Sequence, residues 1–114
     1  MKRKTQITLT VTLDKNNTPE AMEWSAPDGG VKAQSMEAFF LSTWDKGAQE
    51  SARIDLWSKE MPVDQMQVFV HQTLVGIRAS YLKATEDVQI GEAMQQFCDF
   101  FASERNLKDV KKGN

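Results

Sequence analysis

Residues 5 to 13, Thr-Gln-Ile-Thr-Leu-Thr-Val-Thr-Leu, alternate between polar and apolar without a break. A strand turns successive side chains to opposite faces. The run therefore predicts a β-strand with Ile7, Leu9, Val11 and Leu13 on one face and Gln6, Thr8, Thr10 and Thr12 on the other. Turn-forming residues follow at Asp14-Lys15-Asn16-Asn17-Thr18-Pro19, and residues 21 to 26 alternate again, with Met22, Trp24 and Ala26 opposite Glu23 and Ser25. The two runs read as a hairpin with a long loop. A third strand is expected at residues 52 to 58, where Ile54 and Leu56 face one way and Arg53, Asp55 and Trp57 the other.

Helical spacing accounts for the remainder. Met36, Phe39, Phe40, Thr43 and Trp44 recur at helical intervals, with Gln34 or Ser35 near the start and Gly47 where a C-terminal cap belongs. A second helix opens with Pro62 in its first turn and Asp64 near the positive end of its dipole. Met66, Phe69, Val70, Leu74, Ile77 and Tyr81 form its core stripe, and Val68, Val75 and Ala79 widen the apolar surface enough to predict cover on two sides. A third helix is expected from about Val88 to Asn106, with Ile90, Met94, Phe97, Cys98 and Phe101 inward and Glu92, Gln95, Gln96 and Glu104 outward.

The order strand-strand-helix-strand-helix-helix predicts an α+β fold, a three-stranded antiparallel sheet packed on one face by three helices. A right-handed crossover through the first helix would set the third strand beside the first, in the spatial order 2-1-3. The outer face of that sheet would carry Gln6, Thr8, Thr10, Thr12, Glu23, Ser25, Arg53, Asp55 and Trp57. At 114 residues the chain reads as one domain able to bury about two thirds of its unfolded surface, with residues 1–4 and 108–114 as flexible ends.

Charge and targeting signals narrow the function. Sixteen acidic against fourteen basic residues leave a formal charge of -2, with the cations scattered except at the two ends, which is no footprint for nucleic acid. Met1-Lys2-Arg3-Lys4 leads into a strand pattern rather than an apolar signal core, and no run of about eighteen apolar residues occurs, so a cytoplasmic protein without membrane insertion is expected.

The inventory of reactive residues is short. One histidine, His71, and one cysteine, Cys98, cannot supply a structural zinc site or an internal disulfide, and a lone thiol suits a reducing compartment. His71 reads as a helix residue beside the core stripe and Cys98 as a packed, inert thiol. No Gly-x-Ser-x-Gly elbow marks a nucleophile, and Glu86-Asp87 reads as solvation of one helix end and a cap for the next helix. No catalytic residue, metal or cofactor is assigned. The segment Glu23-Trp24-Ser25-Ala26-Pro27-Asp28-Gly29-Gly30 lacks the glycine pattern of a phosphate cradle and reads as a sharp turn leading the second strand toward the first helix. Trp57, on the polar outer face beside Arg53 and Asp55, reads as a contact residue, with cover by the loop after the first strand or by the N-terminal arm, or a different register of the third strand, as the alternatives. The Thr-rich strand also admits edge pairing of two copies into a homodimer.

Beyond these patterns, the alternating N-terminal strand with EWSAPDGG, then AFFLSTWDKGAQESARIDLWSKEMPVDQM, FVHQTL and FCDFFA, resembles the gliding-motility GldC family of the Bacteroidetes. The likeness runs from about Thr5 to Leu107. It implies a small accessory protein of the gliding machinery, which moves surface adhesins and is associated with type IX secretion, and it brings no catalytic residue, metal or cofactor. Two functions follow. One is a non-enzymatic interaction module that binds another motility component through Thr8, Thr10, Thr12, Arg53, Asp55 and Trp57, with Asp28 in the turn at the rim. The other is a small-ligand binder or minor enzyme with a pocket between sheet and helices where Trp24, Trp44, His71 and Tyr81 would converge.

Overall fold

The computed structural model describes residues 2–107. Among these residues the chain is α+β, with five strands and two helices in place of the expected three and three: β1 (Thr8–Leu13), β2 (Pro19–Ala26), β3 (Val31–Met36), β4 (Ala38–Asp45), β5 (Glu50–Trp57), α1 (Val63–Thr85) and α2 (Val88–Glu104). The strands form two antiparallel sheets, β1-β2-β3 and β4-β5. The chain divides into two compact units, the strands in Met1–Met61 and the helices in Pro62–Asn114.

The expected β1–β2 hairpin forms, starting at Thr8 rather than Thr5 and resuming at Pro19. Its loop is held by one carboxylate. Asp14 Oδ1 accepts from the Asn16 and Thr18 amides at 2.8 and 3.0 Å, and Asn17 takes the left-handed conformation (φ 62°) that asparagine tolerates well. Paired residues share a face, so Leu9, Val11, Met22, Trp24 and Met36 lie on one side and Thr8, Thr10, Glu23, Ser25 and Ser35 on the other. Met22 lies at the centre of this apolar face and is buried.

The predicted first helix is absent. Its residues form the end of β3 and all of β4, and Gly47 belongs to a hairpin loop rather than a helix cap. Asp45 closes that loop by accepting from the Gly47 and Ala48 amides at 2.9 and 3.1 Å, with Gln49 in the left-handed region (φ 60°). Two physical facts favour the strand. Phe39, Phe40, Thr43 and Trp44 are aromatic or β-branched and lose side-chain freedom in a helix, and residues 38 to 45 find an eight-residue partner in β5. The 2-1-3 order fails with the helix, because no crossover remains and β2 continues through the turn into β3.

At the junction of β3 and β4, Glu37 ties β5 back. The Ser58 amide donates to the Glu37 carbonyl at 2.9 Å and the Ser58 hydroxyl to Glu37 Oε1 at 2.6 Å, which satisfies the buried Ser58.

The helical unit is an antiparallel hairpin. Asp64 lies in the first turn of α1 as expected, while Pro62 takes the N-cap position just before it. Glu86 ends α1 in the left-handed conformation, and Asp87 caps α2 through the Ile90 amide at 3.2 Å, as its place between the helices predicts. Along the seam Arg78 Nε donates to the Gly91 carbonyl at 2.7 Å, His71 Nε2 to the Cys98 carbonyl at 3.0 Å, and the Tyr81 hydroxyl to Asp87 Oδ2 at 2.8 Å. Cys98 and Gly91 are buried, and Met94 and Phe101 half-buried. Ile90 and Phe97, expected inward, are exposed instead. The same holds for Ile77 on α1. A two-helix hairpin has a single seam, too narrow to cover every apolar position of a wide stripe.

Candidate interaction surface

The candidate residues fall on two sheets rather than one. Thr8, Thr10 and Thr12 lie on β1, at an edge of the three-stranded sheet, while Arg53, Asp55 and Trp57 lie on β5 of the two-stranded ladder. Asp28 is in the short 3-10 turn Pro27–Gly29, where its carboxylate pairs with Arg3 at 3.0 Å. That turn ends β2 with Gly30 in the left-handed region (φ 77°) and leads into β3, not into a helix.

The alternation predicted for β5 holds, and the register of β4 adds residues that the helical reading had hidden. Across the ladder Trp57 stands opposite Ala38, Asp55 opposite Phe40, Arg53 opposite Ser42 and Ser51 opposite Trp44. These four pairs share one face, about 20 Å long at the rise of a strand. Trp57 is 52% exposed at one end of it and Trp44 64% exposed at the other. Between them the Arg53 guanidinium grips Asp55, with Nη2 2.9 Å from each carboxylate oxygen and Nε 3.3 Å from Oδ2. The pair is open to solvent, so it adds at most about 1 kcal/mol to stability. It places a paired cation and anion on the face between the two tryptophans.

Strand period would have exposed Phe40 and Trp44 from the sequence. At a period of two, Phe40 and Trp44 fall two steps either side of Ser42 and share its face, with Phe39, Leu41 and Thr43 on the other. On the opposite side of the ladder Leu56 pairs with Phe39 and Ile54 with Leu41; Phe39 and Leu56 are half-buried and the other two exposed.

Of the four residues suggested for a pocket, Trp24 and Trp44 lie in the strand unit and His71 and Tyr81 in the helical unit. Trp24 is half-buried on β2, Trp44 is exposed on β4, and His71 and Tyr81 make their polar contacts within the hairpin, His71 also lying 5.6 Å from the Phe101 ring. Burial, with Asp99 adding to it, pushes the Cys98 thiol up, away from the thiolate that nucleophilic chemistry needs. The Asp87 carboxylate at its hydroxyl raises Tyr81. Among the described residues no group of three or more His, Cys, Asp or Glu is placed to hold a metal ion, and no helix is long and apolar enough to cross a membrane.

No curated protein and no solved structure matches the chain significantly. The family described as gliding motility-associated protein GldC-like does match, over residues 19–107, which takes in every strand from β2 onward and both helices. The chain therefore belongs to the GldC-like family of gliding motility-associated proteins.

Proposed function

We propose that the protein is a non-enzymatic interaction module of the gliding apparatus, acting in the cytoplasm, and that it binds another motility component through the Trp57 face of the β4–β5 ladder. The observation that carries this reading is the pair of tryptophans, each more than half exposed, at the two ends of one face with the Arg53–Asp55 ion pair between them. Tryptophan is costly to leave in water, and with arginine it is among the residues that dominate binding energy at protein interfaces. The threonine face of β1, with Asp28 beyond the end of β2, is a second and more polar surface on the same unit, suited to the rim of an interface rather than its centre.

The experiment is capture of the tagged protein from its native cells after mild crosslinking, for wild type, Trp57→Ala with Trp44→Ala, and Thr10→Lys. A motility component recovered by wild type should fall at least about tenfold with the tryptophan variant. Thr10→Lys should fall with it only if the β1 face joins the contact. Equal recovery by the tryptophan variant would refute the proposal.

A further inference from the structure

The two outer edges of the three-stranded sheet differ. β3 carries Lys32 and takes Ala33 into the left-handed region (φ 44°), its amide bonded to Ser25 Oγ at 2.8 Å, so that edge is charged and bent. β1 has neither guard. The run from Thr5 to Leu13 holds no charge, no proline and no glycine. Thr8 to Thr12 pair with β2 in unbroken register, and Thr5, Gln6 and Ile7 carry the alternation on past the residues that β2 pairs with. The open side of such a strand presents a row of backbone donors and acceptors that another extended chain matches in register. Its apolar row is also uncovered at both ends, with Ile7 71% and Leu13 50% exposed.

Charge selects the occupant. Lys2, Arg3 and Lys4 precede the edge, and Asp14 and Lys15 follow it. Arg3 is paired with Asp28 at 3.0 Å and Asp14 with Lys59 at 3.5 Å. The charges left over are Lys2 and Lys4 at one end and Lys15 at the other, all exposed and all positive. An uncharged edge is thus bracketed by cations in a chain whose net charge is -2. Antiparallel pairing with β1 of a second copy would carry Lys2 and Lys4 of each copy toward Lys15 of the other, and parallel pairing would set each lysine beside its own counterpart. Like charges opposed across a strand pair are destabilising, so the edge disfavours its own copy.

We infer that the β1 edge takes up one extended segment of a partner protein as a fourth strand, a segment with alternating apolar residues through its middle and Asp or Glu at both ends. Backbone pairing attaches it, as in other strand additions to an open edge. Its apolar side chains extend the row of Ile7, Leu9, Val11 and Leu13, and its carboxylates meet Lys2 and Lys4 at one end and Lys15 at the other. Acids at both ends satisfy the lysines whichever way the segment runs. The edge belongs to one sheet and Trp57 to the other, so the inference stands whether or not the Trp57 face binds anything.

The probe is a fluorescein-labelled peptide, Glu-Asp-Val-Thr-Val-Thr-Val-Thr-Val-Asp-Glu, titrated with the full chain to about 1 mM and followed by anisotropy. Wild type should bind it with a Kd on the order of 100 µM, the strength of one added strand with no deep pocket. The same core flanked by Lys-Lys at each end should bind at least about tenfold more weakly. Lys2→Glu, Lys4→Glu and Lys15→Glu together should reverse that order, and because all three side chains are exposed the fold should be unchanged. With isotope-labelled chain, the amide shifts caused by the acidic peptide should centre on residues 5 to 14. Trp44→Ala with Trp57→Ala should bind the peptide as wild type does, which separates this edge from the tryptophan face. No binding of the acidic peptide over the whole titration, equal affinity for the two peptides, shifts centred away from β1, or loss of binding in the tryptophan variant would each overturn the inference. So would a free chain that sediments as a dimer and is made monomeric by Ile7→Lys, since the edge would then be taken by a second copy.

Discussion

The strand unit and the helical hairpin are closed by different means. In the hairpin, side chains from one helix reach backbone carbonyls of the other, Arg78 to Gly91 and His71 to Cys98, across 13 and 27 residues of sequence. In the strand unit most side-chain bonds are local. Asp14 and Asp45 each tie down a turn of their own, and Ser25 accepts from the Ala33 amide across the next one at 2.8 Å. The hairpin should thus respond to changes in how closely its helices approach, and the strand unit to changes in turn chemistry. All three tryptophans lie in the strands, so fluorescence reads one unit while far-ultraviolet dichroism at helical wavelengths reads the other.

The largest effect is expected at the closest approach. A Cβ on Gly91 would press into the Leu82 side chain, 2.9 Å from its Cγ. Gly91→Val should destabilise the hairpin by about 2–3 kcal/mol through overpacking, seen as a lower denaturant midpoint for the helical signal. Leu82→Ala in the same chain should recover part of that loss, a coupling expected only if the two positions touch. If the tryptophan signal moves with the helical one, the two units unfold together, and the contrast drawn above is one of construction rather than of stability.

A smaller effect is expected in the turn after β2. Gly30 holds a left-handed backbone with nothing within 4 Å of where a Cβ would stand. Gly30→Ala should therefore cost about 1 kcal/mol from backbone conformation alone, lowering the tryptophan transition with no steric contribution. A larger loss would mean that the turn packs more tightly than its geometry shows.

The smallest effect is a pH dependence at the β1–β2 loop. Amides of Thr18 and Asn16 bonding to the Asp14 carboxylate, aided by Lys59 at 3.5 Å, hold its pKa below the usual value. Folding then favours the ionised form, so the stabilisation is complete above the unfolded pKa of an aspartate and is lost as the pH falls through the lower, folded value. Thermal melts from neutral pH into the acid range should show wild type losing more stability than Asp14→Asn, whose side chain does not titrate there. Parallel curves for the two proteins would remove Asp14 as the source.

How much of this was visible beforehand differs between the same two regions. The α1–α2 hairpin was legible because its apolar stripes run for many turns and its link carries a capping aspartate, Asp87, in the expected place. Residues 34 to 47 were not. Met36, Phe39, Phe40, Thr43 and Trp44 fit a helical period, whereas β4 sends Phe40 and Trp44 to one face and Phe39 and Thr43 to the other, so the spacing pointed to the wrong element. The misreading hid half of the candidate surface, since Phe40 and Trp44 share a face with Trp57 only once β4 pairs with β5. The choice was made by the pairing itself: β5 offers backbone partners along the whole of β4, a gain that no local propensity records.

The sequence by itself determined the alternation of β1, β2 and β5, both long helices and the caps and turns between them, because these depend on neighbours within a few residues. It also determined that Arg53, Asp55 and Trp57 project to one side of their strand. Tertiary structure alone decided that β1 and β5 belong to separate sheets, that Trp44 joins the face of Trp57, and that Ile90 and Phe97 stay open to solvent on α2. Periodicity shows that a side chain is apolar and where it points on its own element. What covers it depends on partners distant in the chain, and here the single seam of a two-helix hairpin leaves part of each stripe uncovered.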